Sequence, residues 1–114
     1  MDKQETILTV KKRADRLYAL SDAIWDHPEL AFRENYASAL IISALEQEGF
    51  AVEKNLAGMN TAFCGRYGSG SPVIGILGEF DALDGMSQKA DVTHPEPVPG
   101  MAAGHGCGHN LLGI

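Results

Sequence analysis

The sequence is 114 residues long, 45% hydrophobic and 21% charged, with a formal net charge of −6 at neutral pH. These values suit one modest folded domain and argue against extended disorder. The acidic balance, with no basic patch to neutralise phosphates, argues against partners such as nucleic acid or an anionic membrane.

Val10, Ala14, Leu17, Ser21, Ile24 and Trp25 recur at helical spacing with Lys, Arg and Asp between them, which predicts an amphipathic helix from about Lys3 to Asp26. Lys11-Lys12-Arg13 and Arg16 read as its solvated face. Pro28 prevents clean continuation. A second helix is predicted over roughly Arg33 to Glu48, with Ala37, Leu40, Ile41, Ala44 and Leu45 as its buried stripe and Gly49 at the C-terminal cap. The period then changes. Phe50 to Leu56 and Thr61 to Tyr67 read as short strands, and residues 68–72 as a turn.

Val73-Ile74-Gly75-Ile76-Leu77-Gly78 is a nearly continuous apolar run of strand length, the pattern of a strand buried on both faces. Pro95, Pro97 and Pro99 favour an extended path through Gly85 to Gly104, a loop long enough to suggest a functional role. Two helices beside about three strands predict an α/β layer with an incomplete sheet. Leu111-Leu112-Gly113-Ile114 stops within an apolar pattern, so a truncated domain is expected. No apolar run approaches the about 20 residues of a membrane span, and MDKQETILTV lacks the features of a signal peptide. Cys64 and Cys107 are too few for a disulfide framework, so a reducing, cytoplasmic setting fits best.

Gly104-His105-Gly106-Cys107-Gly108-His109-Asn110 is the most informative stretch. Thiolate and imidazole are the usual protein ligands of zinc and suit related divalent metals. In an extended backbone His105, Cys107 and His109 would all project from one side, and the alternating glycines would let the chain curve around an ion. Two or three ligands in one loop make a half-site. A Gly-rich loop with a buried cysteine, or a redox or nucleophilic Cys107 activated by nearby histidines, are the competing readings. The ligand density favours metal. Glu79 and Asp81 follow the apolar run, where strand ends in α/β sheets collect ligands, although acidic loops are common there. Cys64, Trp25 and Phe32 are expected in the interior, and His94 in solvent. Asp26 and Glu29 are expected to cap the helix break.

Residues 24–34 (IWDHPELAFRE), 75–83 (GILGEFDAL) and 104–113 (GHGCGHNLLG) occur in an order that resembles the metallopeptidase family of aminoacylases, carboxypeptidase G and plant auxin-conjugate amidohydrolases. Within it, the chain is most similar to hydrolases of p-aminobenzoyl-glutamate. The resemblance runs from about residue 7 to the end, and its last motif is highly specific. It implies a two-metal hydrolase, with zinc or manganese, that cleaves the amide bond of an acyl- or aroyl-amino acid. Cys107 and His109 fall on metal-binding positions, and Asp81 on the aspartate that supports the metal site. His105 lies in the motif without being implied as a ligand, and His27 falls at a structural turn. Asp84 departs from a frequent proline and Phe80 from a frequent tyrosine. The family's adjacent glutamate pair, its late histidine and its lid domain have no counterpart in these 114 residues. A chain with Cys107 and His109 alone is expected to be inactive by itself, or to associate with a separate chain carrying the rest of the site.

Overall fold

The structure is a computed structural model that describes residues 2–114. It is mixed α/β and partial, built around the long helical hairpin that the apolar periodicity marks out. The N-terminal helix divides in two, α1 (Lys3–Lys12) and α2 (Ala14–Asp26), with the break at Arg13. Asp2 and Glu5 form a reciprocal capping box at the start of α1, each side chain accepting the other's backbone N–H at 2.8 Å. None of α1 is buried, and Val10 is exposed rather than part of a stripe. The expected single helix therefore holds only over its second half, where Ile24 and Ser21 meet the core. Arg13 and Arg16 at the start of α2 both bond Glu48 beyond the end of α3, which ties the two helices at that end.

α3 (Asn35–Gln47) packs its Ala37, Ser38 and Ile41 face on α2. Gly49 closes it as expected from its position, with φ at 87° and the Phe50 N–H donating back to the Leu45 carbonyl at 3.0 Å. The chain then enters an antiparallel pair, β1 (Ala51–Lys54) and β2 (Phe63–Arg66), registered Ala51 to Arg66 and Lys54 to Phe63. A single 3₁₀ turn over Leu56–Gly58 lies between them. A last short helix, α4 (His109–Leu112), packs on α2.

The predicted third strand is not formed. Residues 73–78 form no regular element and pair with none of the described residues, and Ile76 is 97% exposed. The uninterrupted apolar run is the pattern of a strand with neighbours on both edges and layers on both faces, whereas here only its last residue, Gly78, lies close to another segment, at Leu112 and Gly113. The fully formed interior is correspondingly small. Ile24, Ala37, Ile41 and Ala82 are the buried apolar residues among those described, with Leu40, Leu45, Phe63, Phe80 and Ile114 packed around the helical part. The radius of gyration is 15.8 Å, above the about 13 Å of a compact domain near this length.

Two further corrections concern aromatic and loop residues. Phe32, expected in the core, lies on the surface, because the backbone turns there with a positive φ of 66° and carries the ring outward. Residues 85–104 do not run out as one extended path. They double back, with the Lys89 N–H donating to Glu96 O at 2.8 Å and the Gln88 side chain bridging His94 O and the Glu96 N–H.

Glu29 explains how the break after α2 is organised. Its carboxylate accepts the N–H groups of Tyr36 and Ala37, each at 3.0 Å, and so satisfies two of the free donors at the start of α3. His27 stacks on Tyr36, with ring centroids 4.3 Å apart, and its Nδ1 lies 3.1 Å from the Ala23 carbonyl. Glu29→Ala should cost about 1 kcal/mol, as loss of a helix cap does. Thermal melts should show a drop of about 5 °C, and an unchanged melt would mean that solvent replaces the carboxylate at no cost.

Candidate functional site

The three sequence motifs meet through backbone hydrogen bonds. The Ala82 N–H donates to the Glu29 carbonyl at 2.7 Å, and Leu30 and Ala82 form an isolated parallel bridge. One residue later Leu83 and Gly104 form an antiparallel bridge, with reciprocal bonds of 2.9 and 3.0 Å. The Pro-Glu-Leu segment thus holds the Asp-Ala-Leu turn, which in turn holds the start of the Gly/His/Cys loop. Beyond that loop the Asn110 side chain donates to Ser21 Oγ at 2.9 Å, both groups being buried.

The glycines of the loop differ in their reasons. A Cβ on Gly104 would stand 2.0 Å from the Met86 carbonyl oxygen, and one on Gly106 would stand 2.3 Å from Met86 Cε. Gly108 has open space around it but a φ of 77°, and there the chain turns from the loop into α4. That turn corrects the expectation that His105, Cys107 and His109 share one side of an extended backbone. His105 is buried, Cys107 is exposed, and His109 begins a helix.

His109 is the centre of the site. Its Nδ1 lies 2.7 Å from Asp81 Oδ1 and its Nε2 lies 3.1 Å from Glu79 Oε2. The ring is mostly buried, with its side chain 13% exposed, while Glu79 stands largely in solvent. A neutral imidazole donates through one nitrogen only, so it cannot satisfy both carboxylates by hydrogen bonding. Donation from Nδ1 to Asp81 leaves the Nε2 lone pair facing the Glu79 carboxylate, and a lone pair beside an anionic oxygen is a natural place for a cation.

The donor types fit zinc or a related ion: an imidazole nitrogen, a carboxylate beside it, and an exposed thiol two residues away in sequence. An imidazole whose second nitrogen donates to a carboxylate is the usual arrangement of a metal-binding histidine. The number of donors is short, however. Asp81 and Glu79 address opposite nitrogens of the ring and cannot share one ion with it. Among the described residues no group of three or more His, Cys, Asp or Glu is gathered to hold a metal.

Burial pushes the His105 imidazole to a pKa below its ordinary value. The hydrogen bond to the Ile24 carbonyl opposes that shift, the nearby His109 adds to it, and Asp81 opposes it. Neither this anchoring of His105 nor the cover that Met86 lays over Gly104 and Gly106 is identifiable from the sequence. The alternating glycines signal a close approach, but nothing in the sequence says to what. Cys64 is half-buried in β2, and His94 is exposed beside Glu96, both away from the site. No helix among the described residues is long and apolar enough to cross a membrane.

No family model matches the sequence. Comparison with curated proteins does find relatives. The chain is 49% identical to a p-aminobenzoyl-glutamate hydrolase component from Escherichia coli, over 82% of this chain and 20% of that protein. It is 33% identical to the human Xaa-Arg dipeptidase and 31% identical to an IAA-amino acid hydrolase of Arabidopsis thaliana. Each of these matches covers 90% of this chain and 23% of the relative. The chain belongs to this family of amidohydrolases and peptidases. It spans about a fifth of the length of the relatives it matches. Its partial α/β architecture is that of an N-terminal piece of the family's hydrolase domain.

Proposed function

We propose that this chain is the N-terminal part of a metal-dependent amidohydrolase acting on an acyl- or aroyl-amino acid of the p-aminobenzoyl-glutamate type. The observation that carries the metal reading is the placement of the His109 ring between Asp81, 2.7 Å from Nδ1, and Glu79, 3.1 Å from Nε2. His109 and Cys107 are the ligands, and Asp81 fixes the tautomer and angle of the imidazole. In the complete site two divalent ions, zinc or manganese, would activate water and polarise the substrate carbonyl. Within this chain, the Leu83–Gly104 bridge and the Asn110–Ser21 bond fix the two ends of the ligand loop, and Glu79 presents negative charge at its mouth. These residues hold ligands in place, but the chain contributes too few donors for turnover by itself. Two free cysteines, one of them exposed, support a reducing, cytoplasmic location.

Metal content per purified chain tests this reading, beside Cys107→Ser and His109→Ala. The expected result is bound zinc or manganese in the wild type that is lost in both variants. Metal retained in both variants would refute the assignment. Release of glutamate from p-aminobenzoyl-glutamate by the chain alone, abolished in Cys107→Ser, would refute its inactivity.

The exposed run at 73–78 favours a second reading, in which the chain works as one part of a two-chain hydrolase. Mixing it with a polypeptide covering the remaining part of the Escherichia coli relative should then give a one-to-one complex with hydrolase activity. Two species that stay separate on sedimentation would exclude this reading.

A further inference from the structure

His105 has no part in the metal reading, yet it is among the most deeply buried polar side chains of the molecule at 4% exposure. Its Nε2 lies 3.2 Å from the carbonyl oxygen of Ile24. A carbonyl oxygen only accepts, so Nε2 carries the proton and the ring is the Nε2–H tautomer. Nδ1 is then a buried lone pair with no hydrogen-bond partner among the described residues. A protonated ring would bury a second N–H at that point with nothing to receive it, so the ring is neutral.

The acceptor is well chosen. Ile24 is completely buried and lies in the last turn of α2, where a backbone carbonyl lacks its full set of helical partners. Among the backbone donors of the described residues only the His27 N–H shares it. The ligand loop is clamped before His105 by the Leu83–Gly104 bridge and after His109 by the Asn110–Ser21 bond. Between those clamps two side chains tie the loop to the rest of the chain, His109 to Asp81 and His105 to the buried end of α2. An apolar side chain of similar volume would fill the space but would not set the direction in which the loop leaves Gly104.

We propose that His105 is a positioning residue: through Nε2–H donated to Ile24 it seats the 104–108 loop on the end of α2 and so sets how Cys107 and His109 stand relative to Asp81. The consequence for metal rests on the reading given above. The consequence for the His109–Asp81 contact does not, because that contact is read without metal.

The test uses the ¹⁵N-labelled 114-residue chain, with long-range proton–nitrogen spectra of the imidazoles and a cobalt(II) titration followed by thiolate-to-cobalt absorption. Wild type is compared with His105→Gln, His105→Leu and His105→Asn. Gln can place an N–H where Nε2 stands and keep the bond to Ile24. Asn reaches only the position of Nδ1, and Leu offers no polar atom. The expected spectra show His105 as the Nε2–H tautomer and a hydrogen-bonded His109 Nδ1 proton, the latter kept in the Gln variant and lost in Leu and Asn. Far-UV circular dichroism should be unchanged in Asn, which serves as the informative variant if Leu does not fold. Cobalt affinity should fall on the order of tenfold in Leu and Asn and stay near wild type in Gln. An Nδ1–H tautomer at His105, or an intact His109 resonance in folded Leu or Asn variants, would overturn the proposal. A wild type that binds no cobalt overturns the metal reading alone, since both imidazole signatures are measured without it.

Discussion

Gly104→Ala should be the most destabilising single substitution in the ligand loop, lowering stability by about 3 kcal/mol, the upper part of the range for forced overpacking. The added methyl would stand 2.0 Å from the Met86 carbonyl oxygen, with Met86 C and Ser87 N also within 3 Å. All three atoms are backbone, so no rotamer change relieves the clash. The chain must separate at the Leu83–Gly104 bridge, which carries two backbone bonds. Gly106→Ala provides the internal comparison. There the methyl meets the end of the Met86 side chain, at 2.3 Å from Cε, and that half-exposed side chain can swing away. Thermal melts should place Gly104→Ala roughly 15 °C below wild type, with Gly106→Ala in between. Equal melts for the two would show that the bridge gives way as easily as a methionine rotamer.

Ile74→Lys combined with Ile76→Lys should leave the melt within about 0.5 kcal/mol of wild type, as exposed substitutions do, while abolishing self-association of the chain. In extended backbone these two side chains lie on one face, and they are 83% and 97% exposed. Val73 and Leu77 are as open on the other face. The segment carries no charge between Arg66 and Glu79 and no proline after Pro72, so it lacks the features that keep an open edge from pairing. Sedimentation of wild type over a range of concentrations should show association, and the double variant should remain monomeric. A lowered melt in the double variant would show that the segment packs on the rest of the chain.

The sequence made some of this structure plain and hid other parts, for physical reasons. Helix α3 and its Gly49 cap were legible because amphipathic period and cap are both local. The split of the N-terminal helix at Arg13 was not. The apolar period continues through it, and only the absence of anything for α1 to pack on distinguishes its first half. Residues 73–78 carry the apolar pattern of a buried strand, but a strand forms only beside hydrogen-bonding neighbours, and none of the described residues pairs with them. At the site, the resemblance singled out Asp81, Cys107 and His109; the structure brings Asp81 and His109 into contact and leaves Cys107 exposed. The ring of His109 between two carboxylates, and His105 turned inward to Ile24, were not legible, since both depend on partners distant in sequence. Met86 could not be found at all from its place in a loop without periodicity.

The Leu83–Gly104 bridge also separates two kinds of sequence. Everything on its inner side, from Glu79 to Leu83 and from Gly104 to Asn110, is fixed in distance, whereas the 20 residues it encloses return to their starting point. A closed excursion of this sort can lengthen or shorten without moving its own neck, and doubling it would cost only about 0.6 kcal/mol in closure entropy. The stretch between Lys89 and Glu96 is therefore where a tag, a label or an inserted recognition segment can be added while the spacing at His109 stays the same.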